Sequence, residues 1–275
     1  MLSLAPGARA APSAPPPVEG AIAGLDVHEA ARLLARVYEV PIVVAGGTDA
    51  PLRLPLADAD AATAIGRLAA AAGLVARSKP PFWLLAPPDQ IGRLEGAKRG
   101  LPAGPRIDLD LELVEMDRLF RVLADVLHLR PDGAVAGRLS VFGKKLGSIA
   151  VTTIVSRLAG LEASRHEGRL VVGGAVAATP APPVPTCEPE PPSPTVVFAR
   201  CVDPRELDVL GWAARGGRTL AAVRARTAHT DGRAAAVLVA PGDRLGRTEA
   251  AVARIDGGGV ALADGTTLPF APAPR

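Results

Sequence analysis

The run IDLDLELVEMDRLFRVLADVL, residues 107–127, decides the fold reading, because the period of its apolar residues changes partway along. Ile107, Leu109, Leu111 and Leu113 alternate with Asp108, Asp110 and Glu112, the two-residue period of a strand with one buried and one wet face. From Met116 the spacing becomes helical: Leu119, Phe120, Leu123 and Leu127 continue a single apolar stripe. Pro131, Asp132 and Gly133 form a turn signal, and Arg138 to Phe142 alternate again as a strand. Val151, Ile154, Val155 and Leu158 make a second helical stripe, with Gly160 suited to the left-handed conformation that ends a helix. Residues 161–165 and 169–172 read as a hairpin across His166, Glu167 and Gly168. The stretch predicts βαβ followed by αββ, a small sandwich of helices on a sheet.

The same order precedes it. Asp26 with Glu29 has the form of a capping box, and Val27, Ala30, Leu34 and Tyr38 continue as a helical stripe. Ile42 to Val44 and the alternating Leu52, Leu54 and Leu56 read as strands. Ala61, Ala64, Ile65, Leu68 and Ala72 form the next helix, ended by Gly73, and residues 75–77 and 82–85 form a hairpin. The Gly73-Leu74 and Gly160-Leu161 pairs lie 87 residues apart (160 minus 73), the scale of a duplicated domain. The expected organisation is a module at 25–86, a polar linker at 87–106 and a second module at 107–173.

Residues 1–24 are read as a disordered leader, since its first part is rich in Ala and Pro. Ala8, Arg9 and Ala10 have the small-residue form of a signal-peptidase site, but no basic segment precedes them and Leu2 to Ala5 is too short for an apolar h-region. Two readings stand open: the tail of an export signal that starts upstream, or a cytoplasmic leader. Residues 174–202 are read as a Pro-rich linker, whose proline run at 174–196 could hold its ends about 60 Å apart as an extended polyproline helix. Residues 203–270 read as an all-β meander or partly open barrel: short β-like runs at 207–212, 219–223, 234–239, 252–255 and 260–263 are separated by glycine turns. Residues 271–275 are a tail. The fold class is α+β.

Leu119 to Val126, Pro131-Asp132, Gly137 to Val141 and Gly160-Leu161 carry a resemblance to the short N-terminal domain family of secretins and TonB-dependent receptors. The β-module resembles the C-terminal domain of the type IV pilus protein PilP and the homology region of type II secretion protein C. The residues that carry this are Val209 to Gly211, Gly217 to Val223, Val239, Gly242 to Gly246, Ala253 to Ile255, Gly259 to Leu262 and Asp264-Gly265. Two family features are missing: the pilus family's lipid-anchoring cysteine near the N-terminus and the type II protein's transmembrane helix. No apolar run here approaches the roughly 20 residues such a helix needs.

The resemblance implies a non-enzymatic periplasmic scaffold of a secretin-based machine. Its partners would be secretin N-domains and inner-membrane pilus or secretion components, with Leu210, Gly211, Leu245 and Gly246 on the contact surface. It implies no cofactor and no small-molecule substrate. A signalling adaptor of the kind attached to TonB-dependent receptors is the alternative, with a KH-like nucleic-acid-binding protein after it. In an oxidising periplasm Cys187 and Cys201 could close a loop of about 14 residues, worth about 3 kcal/mol; two free thiols is the other reading.

Little in the composition argues for catalysis or nucleic acid. The net charge is +3 and the basic residues are dispersed. His28, His128, His166 and His229 have no metal-ligand spacing and read as surface or turn residues. Asp108, Asp110 and Glu112 read as a row on a solvated strand face rather than paired acid/base carboxylates. Gly143-Lys144-Lys145-Leu146-Gly147 resembles the Gly-x-x-Gly loop of KH domains but has one residue too many between its glycines. Gly216-Gly217 and the 242–246 segment lack a following helix and read as turns rather than phosphate loops.

Overall fold

A computed structural model describes residues 19–93, 105–128, 130–132, 135–166, 169–173, 196–197, 202–226, 236–246 and 248–270. The first third of the chain forms β1 (Glu19–Leu25), α1 (Val27–Tyr38), β2 (Ile42–Ala45), β3 (Leu52–Pro55), α2 (Ala61–Ala71), β4 (Val75–Lys79), β5 (Phe82–Ala86) and α3 (Pro88–Arg93). The capping box at Asp26 and Glu29 starts α1, and the Asp60 side chain caps α2 by accepting from Thr63 N. The central stretch forms β6 (Arg106–Glu115), α4 (Met116–Val126), β7 (Arg130–Asp132), β8 (Arg138–Gly147), α5 (Ser148–Leu158), β9 (Glu162–His166) and β10 (Arg169–Gly173). The rest forms β11 (Val196–Val197), a 3-10 turn at Pro204–Glu206, β12 (Leu207–Arg215), β13 (Arg218–Ala225), β14 (Val237–Val239), β15 (Arg244–Leu245), β16 (Ala250–Asp256), β17 (Gly259–Leu262) and β18 (Thr267–Leu268). The mixed α+β class follows directly.

How the strands pair departs from two self-contained modules. One sheet runs β4-β5-β2-β8-β6, so strands of both expected modules share it. β2 pairs parallel with β5 and antiparallel with β8. Both faces of this sheet are covered, which is why β2 is apolar at every position. Ile42, Val44, Leu85 and Phe142 join the core under α1 and α2, whereas Val43, Ala45, Leu84, Leu139 and Val141 join the core under α4 and α5. A separate three-stranded sheet, β7-β10-β9, holds the closing hairpin, and residues Pro131 and Asp132, expected as a turn, pair in parallel with β10.

The largest departure lies at the start. Residues 19–24, expected within a disordered leader, belong to β1, an interior strand of the sheet β14-β13-β12-β1-β3. Ile22 pairs with Leu54 on one side and Gly211 on the other. The strand is poor in β-branched residues, so its partners, not its own propensity, hold it extended. Gly20 is required by closeness: a Cβ there would lie 2.3 Å from the Trp212 carbonyl oxygen.

Smaller corrections follow from the same packing. The expected linker 87–106 contains α3, whose Ile91 is buried in the second core. The expected spacer 174–202 ends in β11, which pairs with β15, and in the buried Val202. A third core fills the β-domain, from Val209 and Val223 to Val252, Val260 and Leu268.

Ile22 is 2% exposed. Ile22→Ala is expected to lower unfolding free energy by about 2–5 kcal/mol in urea titrations, the cost of a core cavity; a change near zero would show β1 to be dispensable.

Candidate functional site

Strand alternation turns Ile107, Leu109 and Leu111 toward the core beneath α4 and α5. The acidic residues between them then face the other way, and there they meet α1 rather than open water. Helical spacing places Glu29, Arg32 and Arg36 on one side of α1. Arg32 donates to Asp110 through both Nε, at 2.7 Å, and Nη2, at 3.1 Å, and Arg36 also pairs with Asp110. Burial pushes the Asp110 carboxyl up, but hydrogen bonds and charge from the two guanidinium groups outweigh it and hold the group below its usual value. The reading of 108, 110 and 112 as a solvated row is therefore corrected for Asp110 and Glu112.

Glu29 is 3% exposed and works in two directions. Its Oε2 accepts from Asp26 N at 3.1 Å, completing the cap of α1. Its Oε1 accepts from Ala236 N at 3.0 Å and pairs with Arg224 of β13. One carboxylate thus ties the helix start to the β-domain. Glu112 stands beside this pair with less support. Its Oε2 is 3.8 Å from Arg32 Nη1 and has no hydrogen-bond partner among the described residues. Burial first, and the Glu29 charge second, push the Glu112 carboxyl up to about 7.

His28 is buried, not at the surface as its sequence context suggested. Its Nδ1 is 2.9 Å from Ser140 Oγ, which accepts from Leu113 N at 2.8 Å. Burial lowers the imidazole pKa, so the ring is held neutral as a link between α1 and β8.

Farther along α1 lies a groove of about 710 Å³ between α1, the β6–β8 pair and the β13–β14 pair. Val40, Leu220 and Leu238 line it with apolar surface, and Arg36, Lys144, Lys145 and Arg218 add cationic groups. Arg218 pairs with Glu39 at 2.7 Å. The segment 143–147 is not a Gly-x-x-Gly loop but the end of β8, hydrogen-bonded to β6, with Lys145 N donating to Asp108 Oδ1 at 2.7 Å. Gly216 and Gly217 are turn glycines, both at positive φ, in the tight hairpin between β12 and β13.

The expected contact residues lie inside. Leu210 and Leu245 are 6% and 0% exposed, Gly211 is pressed against β1, and a Cβ on Gly246 would lie 2.6 Å from the Val202 carbonyl oxygen. Their glycine and leucine pattern serves packing, so they cannot face a partner. Cys187, Cys201 and His229 lie outside the described residues, as do Ala8 to Ala10. Among the described residues no group of His, Cys, Asp or Glu is placed to hold a metal ion. Sequence reasoning missed Arg32, Arg36 and Arg224. The only available signal was a pair of arginines one turn apart on a helix otherwise rich in apolar residues.

Arg224→Ala leaves Glu29 buried without its cation, and a loss of about 3–5 kcal/mol in unfolding free energy is expected by denaturant titration. Glu112 gives a pH test. Its folded pKa of about 7 exceeds the unfolded value near 4.5, so its contribution is fully present below pH 4.5 and is lost as pH rises through about 7. Neutral His28 acts oppositely, losing stability as pH falls, so the comparison must be made against a variant. Glu112→Gln should gain on the natural chain by roughly 2 kcal/mol between acidic and mildly alkaline pH, read from unfolding at each pH. A constant difference between the two proteins would remove the buried carboxylate from the account.

Comparison with known proteins identifies no relative: no family model, no curated protein and no solved structure matches the chain.

Proposed function

We propose that this chain is a non-enzymatic scaffold of a secretin-based envelope machine, serving type IV pilus or type II secretion, and that it joins secretin N-domains to inner-membrane components. The observation that carries the reading is β1. By pairing with β3 and β12 it joins the first helix-on-sheet unit and the β-domain in one sheet, the two kinds of unit whose sequences resemble secretin-associated modules. A body cross-linked in this way transmits position and load between two docking ends. The ionisable groups at the junction suit that role, because Glu29, Arg32, Asp110 and Arg224 are spent on one another. The docking surface on the β-domain must lie on exposed positions such as Glu206 and Ala253 rather than on the interior residues 210, 211, 245 and 246. The compartment is proposed as the periplasm. No described helix is long and apolar enough to cross a membrane.

The test is photo-crosslinking in cells from Glu206 and Ala253 of a tagged full chain, followed by mass spectrometry of the joined peptides. Links to a secretin N-domain are expected, with none from a crosslinker at buried Leu210. Recovery of cytoplasmic proteins alone would overturn both the compartment and the machine.

A further inference from the structure

The groove along α1 carries more cationic charge than the chain itself neutralises. Arg32 and Arg36 share Asp110, and Arg218 is matched by Glu39. Asp108 is the remaining carboxylate on the wall, and its Oδ1 accepts the Lys145 backbone N–H. The Lys144 and Lys145 ammonium groups have no carboxylate partner among the described residues. Of the charged residues lining the groove, five are basic (Arg32, Arg36, Lys144, Lys145, Arg218) and three acidic (Glu39, Asp108, Asp110), a surplus of two.

The backbone explains how both lysines reach one groove. Neighbours on a regular strand point to opposite faces. Lys145 has φ of +53°, a left-handed conformation that lysine rarely adopts, and Asp108 holds it there through the backbone bond. Lys144 and Lys145 therefore line the same cavity, beside apolar surface from Val40, Leu220 and Leu238. A volume of 710 Å³ falls in the roughly 300–1,000 Å³ range of small-molecule sites, which are mostly apolar with a few placed polar groups.

We infer that this groove binds a small amphipathic anion, with its apolar body against Val40, Leu220 and Leu238 and its carboxylate or phosphate head between Lys144, Lys145 and Arg36. Charge complementarity selects the anion, and the adjoining apolar wall selects a ligand that is not merely a mineral ion. The inference stands apart from the scaffold reading, since the groove exists whatever machine the chain serves.

The probe is 8-anilinonaphthalene-1-sulfonate, an apolar ring system with one anionic head, titrated by fluorescence into the full-length chain. One saturable site is expected, weakened at least tenfold in the double variant Lys144→Glu/Lys145→Glu and by added salt, but unchanged in Arg121→Glu, whose residue lies on α4 outside the groove. Both lysines are exposed, so the double variant should fold, and circular dichroism melting checks this. Displacement by laurate assigns a carboxylate head; displacement by dodecyl phosphate alone assigns a phosphate. No saturable binding, equal affinity in the double variant, or displacement by neither competitor would each overturn the inference.

Discussion

The backbone of β1 has no means of satisfying itself. An extended strand of Gly and Ala residues must give its N–H and C=O groups to neighbours, and buried groups left without partners are costly. It finds those neighbours in β3 and β12, one close in sequence and the other nearly two hundred residues away. The chain cannot complete this sheet until both ends are made. The core under α1 and α2 accordingly includes Leu210, Ala213 and Ala222 from the far end of the sequence. The helix-on-sheet unit and the β-domain become one body because a single short strand is shared.

Charge reinforces what β1 begins. The cap of α1 needs a carboxylate at Glu29, and the same carboxylate, once buried, needs a cation. Arg224 comes from β13, so a local requirement of helix initiation becomes a long-range tie. Asp110 does the same for β6 by gathering two arginines of α1. Glu112 is the weak member, close to the others but without a hydrogen bond on one oxygen, and its raised pKa is first the cost of burying the carboxylate and second that of placing it beside Glu29. The rigid junction and the cationic groove are two ends of one feature, the side of α1 that runs from Glu29 to Glu39.

Period and punctuation in the sequence determined most of the elements by themselves. The change of period at Met116, the capping box at Asp26, the left-handed Gly73 and Gly160 and the glycine turn at 216–217 all stand where local chemistry puts them. These are legible because they depend on neighbours within a few residues. The turn read at Pro131 failed because a parallel partner, β10, lies outside any local window. β1 was invisible for the same reason: nothing in EGAIAGL, residues 19–25, prefers extension strongly enough to announce it.

Only the tertiary structure decided what covers each face. Alternation in IDLDLEL says that the acidic residues point away from the leucines, but it is silent on whether water or another element lies there. Here α1 lies there, which converts a supposed solvated row into an ion-pair junction. Likewise the Leu-Gly pairs at 210–211 and 245–246 look like a recognition motif in one dimension, and packing against β1 and the 202–204 segment puts them inside. Sequence patterns record the local side of each bargain; the partner on the other side is chosen by contacts between residues far apart in the chain.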